Sequence, residues 1–126
     1  RKPGGYRKPT RDARLLSIIS DPIHKSGFKQ IWNDIPGAST RNHPAPFPVA
    51  LADRLIRMFS FVGDTVVDPF MGTGTTNLAA AFIGRNSIGI EIDQDYFQMS
   101  KKRLIGETRD LFSKTMVETH KLEKQN

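Results

Sequence analysis

The sequence contains no cysteine, which excludes a disulfide framework, a thiolate metal site and a cysteine nucleophile together. Its three histidines, at positions 24, 43 and 120, are too scattered along the chain to suggest a metal site. Neither metal nor thiol chemistry is therefore expected. No apolar run approaches the roughly 20 residues of a membrane span, and Arg1 to Pro9 are polar where a secretory signal would show an apolar stretch. A cytoplasmic chain with no membrane partner is the resulting expectation. What is present is globular in character: 37% hydrophobic and 25% charged residues, fractions outside the disordered range. The 126 residues suffice for one modest domain, whose core can bury roughly two thirds of the unfolded surface. The chain opens at Arg1 without a methionine, so either its start has been removed or it is a piece of something longer.

The charge is unevenly placed. Residues 1–42 carry nine Lys/Arg and three Asp/Glu, whereas residues 43–126 carry ten of each, so the net +6 lies wholly in the first third. A basic segment beside a neutral, apolar-patterned domain is what phosphate-backbone binding requires, because each bound Lys or Arg releases counterions. A solvated arm explains the same charge. The opening RKPGGYRKPT reads as a loop with Tyr6 among four cations, a ring that can stack on a base or pack against the protein.

A short helix is expected from about Asp12 to Ile19, ended by Asp21-Pro22. Phe28–Ile35 fits strand or helix, and the PGASTRNHPAPFP segment after it, with four prolines between 36 and 48, reads as a loop. Pro48 then suits the first position of an amphipathic helix through about Phe59. TVVD is a short buried strand ending at Asp68, followed by a glycine loop and a helix from about Thr75 to Ile83, closed by Gly84. NSIGIEI sets Ile88, Ile90 and Ile92 at period two as a second strand, and Asp93 can cap a helix running to about Ile105 before Gly106. Strand, helix and strand make a right-handed βαβ unit with parallel strands, whose sheet needs helices on both faces. Residues 107–126 read as a polar helical tail with Leu111, Phe112 and Met116 as its packing positions.

The stretch from Val66 to Thr76, VVDPFMGTGTT, carries the most chemistry. Two glycines let a ligand approach the backbone, and free N–H groups at the helix start favour an anion. It is not a Walker phosphate loop, because no Gly-Lys-Ser/Thr follows, and Asn77 stands where the dinucleotide fingerprint needs its third glycine. What remains is an acid, Asp68, able to take a ligand ammonium, with Thr75, Thr76 and the helix amides able to take a carboxylate. Glu91 follows Asp68 by 23 residues, at the strand-end position where an acid accepts both ribose hydroxyls. An amino-acid head plus a ribose points to S-adenosylmethionine. The plainer alternative is that Asp68 caps its turn, the glycines only form it, and Glu91 is solvated.

DPFMGTGTT, with HPAPFP upstream and GRNSIGIEI downstream, resembles the amino-methylating DNA methyltransferases of the permuted, beta arrangement. HPAPFP matches the motif numbered ten, DPFMGTGTT motif one and GIEI motif two, over about residues 29–105. RKPGGYRKPT resembles the segment such enzymes carry between the target-recognition region and motif ten. The resemblance implies a Rossmann-like α/β fold. It also implies that Asp68, Phe70, Gly72 and Gly74 line the methionine side of the cofactor, that Thr75 and Thr76 meet its carboxylate, that Glu91 holds the ribose and that Ile92 borders the adenine. His43, Pro46 and Phe47 would close over the methionine end; a proline-stiffened connector with Phe47 in the core is the alternative. The family's catalytic tetrapeptide, Asp/Asn/Ser-Pro-Pro followed by an aromatic residue, is absent from the chain, so no catalytic residue is assigned.

The resulting expectation is a cofactor-binding, C-terminal portion of a site-specific, restriction-modification type DNA methyltransferase acting on the exocyclic amine of adenine, or of cytosine. Residues 1–42 would be a basic, DNA-facing linker, 43–106 the cofactor-binding βαβ core and 107–126 the tail. Arg1, Lys2, Arg7, Lys8, Arg11 and Arg14 are the candidate DNA contacts. The expected partners are double-stranded DNA and the N-terminal catalytic portion, in cis or in trans, with a homodimer also compatible. The competing readings are a noncatalytic nucleic-acid-binding module and one subunit of a split methyltransferase.

Overall fold

The computed structural model describes residues 8–29, 35, 37, 48–108 and 115–122. Two short helices come first. α1 (Arg11–Leu16) begins where Thr10 Oγ1 accepts the Ala13 amide at 3.1 Å, a side-chain cap for an otherwise orphaned donor. It is shorter than expected, and none of its residues is buried. Asp21-Pro22, expected to end that helix, instead opens another, α2 (Asp21–Gly27). Proline lacks only an N–H that the first turn does not use, so it marks a helix start as readily as a stop. The Phe28–Ile35 stretch and the proline loop lie largely outside the described residues.

α3 (Val49–Phe59) follows directly on Pro48, which is its N-cap, and buries Ala52 and Ile56. The chain then turns into β1 (Thr65–Asp68), crosses through α4 (Thr75–Phe82) and returns as β2 (Asn86–Gly89). The strands are parallel, in register from Thr65 opposite Asn86 to Asp68 opposite Gly89. The expected βαβ unit is therefore present, and the fold is Rossmann-like α/β. Ala79, Ala80 and Ile83 pack against Ala52 and Ile56, with Val49 and Val66 at the margin. The small α4 residues let the α3 backbone come close, and burial of this apolar surface supplies the main cohesion.

A cation pins the two helix ends. Arg85, 6% exposed, donates from Nε to Ser60 Oγ at 3.1 Å, from Nη1 to the Ile83 carbonyl at 2.7 Å and from Nη2 to the Ser60 carbonyl at 2.8 Å. Ser60 and Ile83 cap the C-termini of α3 and α4, where a positive charge meets the negative end of each helix dipole. Burial, and after it the charge of Arg57, hold the guanidinium pKa below its ordinary value.

Four further expectations require correction. The strand ladder stops at Gly89 rather than Ile92, although the Ile90 amide still reaches the Asp68 carbonyl at 2.9 Å. Among the described residues helices do not cover both faces of the sheet. α4 packs on Val66 and reaches the exposed Ser87 through Asn77, while Val67, Ile88 and Ile90 on the other face are roughly half exposed. Finally, α5 (Gln94–Glu107) runs through Gly106, and Thr108 closes it by donating from Oγ1 to the Leu104 carbonyl. Beyond it, residues 115–122 carry no helix and Met116 is exposed; Leu111 and Phe112 lie outside the described residues. Among the described residues no helix is long and apolar enough to cross a membrane.

Candidate functional site

Asp68 ends β1 at the sheet's carboxyl edge, where side chains of an open α/β sheet meet ligands. Its Oδ1 accepts the Phe70 amide at 3.0 Å, turning the chain sharply out of the strand. The Met71 amide then bonds the Ile90 carbonyl at 2.9 Å, and the Gly72 amide donates to Glu91 Oε2 at 2.8 Å. Glu91 Oε1 in turn accepts the Asp93 amide at 2.8 Å. Asp68, at the end of β1, and Glu91, two residues past the end of β2, are thus joined through the glycine loop. A carboxylate oxygen accepts two bonds, so each of these keeps capacity for a ligand.

The loop needs its glycines. Gly72 and Gly74 have φ of 55° and 79°, conformations that side-chain-bearing residues adopt at a cost. A Cβ on Gly74 would also stand 3.0 Å from Ser100 Cβ of α5. Gly74 is the N-cap of α4 and gives no side-chain hydrogen bond, and the first turn of α4 carries no acid. The first-turn amides thus have neither a capping side chain nor an acid of their own turn, as an anion-receiving helix start requires. Thr75 is buried and Thr76 half buried. Phe70 and Ile92, flanking the two acids, are 89% and 100% exposed, apolar faces available to a ring or aliphatic ligand.

Asn77 explains how the loop works without a third glycine. It is 4% exposed, and its Nδ2 donates to Ser87 Oγ at 3.0 Å across to β2. The close helix–strand approach is supplied from the strand instead: a Cβ on Gly89 would overlap Met71 Sδ and stand 2.8 Å from Asn77 Oδ1.

The structure therefore brings Asp68, Phe70, Gly72, Gly74, Thr75, Thr76, Glu91 and Ile92 together along one loop and the β2 end. His43, Pro46 and Phe47, and likewise Arg1, Lys2 and Arg7, lie outside the described residues. Lys8, Arg11 and Arg14 are exposed, the last two on α1. Sequence reasoning missed Arg103, whose Nη1 donates to Thr75 Oγ1 at 3.1 Å. The signal was available: Arg103 falls on the same α5 stripe as buried Ser100 and half-buried Leu104, where a cation is out of place unless it bonds inward.

The DNA methylase family profile matches residues 7–102. The type II methyltransferase M.MthZI of Methanothermobacter thermautotrophicus is 45% identical over 114 residues, 82% of this chain and 32% of the relative. Among solved structures, TTHA0409 of Thermus thermophilus complexed with S-adenosyl-L-methionine superposes with a TM-score of 0.74 at 50% identity, covering 88% of this chain and 43% of that one. The M1.HpyAVI–SAM complex gives a TM-score of 0.50 at 40% identity, over 59% of this chain and 36% of its own. The chain thus spans about a third of the curated relative's length.

Proposed function

The chain belongs to the DNA methylase family, and from that premise we propose that it is the S-adenosylmethionine-holding portion of a methyltransferase acting on the exocyclic amine of adenine or cytosine in duplex DNA. The observation that carries the reading is the bond from the Gly72 amide to Glu91 at 2.8 Å, which couples the ribose-type acid to the loop that follows Asp68. The residues fit the cofactor: an acid for an ammonium, an uncapped helix start for a carboxylate, an acid with spare acceptor capacity for ribose hydroxyls and two exposed apolar side chains.

Asp68 would accept N–H bonds from the ammonium while its Oδ1 holds the Phe70 amide. Glu91 would accept both ribose hydroxyls while its oxygens keep Gly72 and Asp93 in place. Ile92 would lie along the adenine, and Phe70, with His43, Pro46 and Phe47, would shield the methionine end. When bound, the cofactor supplies a sulfonium methyl to the nitrogen of an extruded base. This portion would contribute position, holding the methyl in line for attack. Polarisation of the target amine would fall to the tetrapeptide in a further portion, and Arg1, Lys2, Arg7, Lys8, Arg11 and Arg14 would face the DNA backbone.

The test pairs binding with transfer. With methyl-labelled S-adenosylmethionine and mixed-sequence duplex DNA, the chain alone should take up the label, release it to S-adenosylhomocysteine but not to ATP, and methylate nothing. Displacement by ATP would favour a phosphate loop, and methylation by the chain alone would place catalytic residues within it.

A further inference from the structure

Arg103 stands where helix electrostatics disfavour a cation. It reaches from α5 to the start of α4, donating from Nη1 to Thr75 Oγ1 at 3.1 Å and to the Thr73 carbonyl at 3.5 Å. The helix start already carries partial positive charge, and the first turn of α4 has neither an acid nor a capping side chain to offset it. The only carboxylate bonded to Arg103 among the described residues is Glu107, at 3.0 Å from Nε, one turn on and half exposed to solvent. Helix dipole and guanidinium therefore converge on Thr73–Thr75. An arriving carboxylate would neutralise both. Because the Thr75 oxygen accepts from Arg103, the threonine proton is directed away from the guanidinium and is left to donate.

Resting on the function proposed above, we propose that Arg103 is a positioning residue for the carboxylate of the cofactor's amino-acid head, acting through Thr75 and through its charge. It also holds the loop by the Thr73 carbonyl, so a plain stability effect must be separated from recognition. The separation uses two ligands that differ only in that carboxylate: S-adenosylmethionine and its decarboxylated form.

Arg103→Gln should weaken S-adenosylmethionine about 10- to 100-fold, the size of one charge-assisted hydrogen bond. The decarboxylated ligand should bind the variant within about twofold of wild type, a tolerance well below the tenfold step per 1.4 kcal/mol. Arg103→Lys, which keeps the charge and loses the planar fork, should fall between. Thr75→Val should show the same dependence on the carboxylate, and combining it with Arg103→Gln should cost less than the product of the two, because they act on one interaction. Equal weakening of both ligands would overturn the inference by reducing Arg103 to a loop support, and unchanged affinity for both would overturn it as well. A wild-type chain that binds neither ligand would overturn the function it rests on, and the inference with it.

Discussion

Gly89→Ala is a single methyl added where the structure leaves no room. Gly89 is not among the glycines with positive φ, so alanine is allowed by its backbone and should even gain about 0.4–1 kcal/mol from a less flexible unfolded chain. Against that, the new Cβ would overlap Met71 Sδ and sit 2.8 Å and 2.9 Å from Asn77 Oδ1 and Nδ2. Met71 is flexible and can swing aside, at the cost of its buried position. Asn77 is 4% exposed and held to Ser87 Oγ at 3.0 Å, so it moves only by breaking that bond, worth about 0.5–1.5 kcal/mol. Overpacking of about 1–3 kcal/mol is then the larger effect, and the net expectation is destabilisation by about 1–3 kcal/mol. The damage should also reach the site, because Met71 precedes Gly72, whose amide bonds Glu91. Urea unfolding followed by circular dichroism gives the first quantity and calorimetric titration with S-adenosylmethionine the second. Trimming the obstacle in Gly89→Ala/Met71→Ala should be less harmful than the sum of the two single changes by about 1 kcal/mol, as expected for contacting residues. An unchanged unfolding midpoint in Gly89→Ala, or strict additivity in the double variant, would refute the packing argument.

Arg85→Met keeps much of the volume but orphans the Ser60 and Ile83 carbonyls, so stability should drop by about 2–4 kcal/mol in the same urea assay, from roughly 1–3 per unsatisfied buried group less the relief of a desolvated charge. Affinity for duplex DNA should fall with salt at about −0.9 in log–log slope per phosphate contacted. Replacing Arg11 and Arg14, exposed on α1, together by alanine should flatten that slope by about 1.8 if both touch phosphates. An unchanged slope in fluorescence anisotropy titrations would reduce α1 to a solvated arm.

Patterns that depend on near neighbours were legible in the sequence. Asp68 as a strand end and Asp93 as a helix cap each follow from local chemistry, and the structure has both, while Pro48, expected as the first helical residue, stands one position earlier as the N-cap of α3. Pro22 misleads because the same missing N–H serves a helix start and a helix stop, and only the chain beyond it decides. Gly106 reads as a stop, but Thr108 offers the Leu104 carbonyl a better closure. The exposed side of Val67 and Ile88 could not be foreseen, since alternation tells which residues share a face and not whether anything covers it. Within the site, residue types and spacing indicated the acids and the glycines. The bond from Gly72 to Glu91, the approach of Arg103 to Thr75 and the exchange of bulk between Asn77 and Gly89 are contacts between segments, which no local pattern encodes.

That one ligand spans Asp68 and Glu91 across the glycine loop is tested most directly by calorimetric titration of S-adenosylmethionine into the wild-type chain, Asp68→Ala and Glu91→Ala. The wild type should bind one equivalent, and each variant should lose about 1–3 kcal/mol through unpaired ligand donors. Glu91→Ala should lose more than Glu91→Gln, which keeps one acceptor oxygen for the Gly72 amide. Affinity like that of the wild type in both alanine variants, or no binding by the wild type, would contradict it.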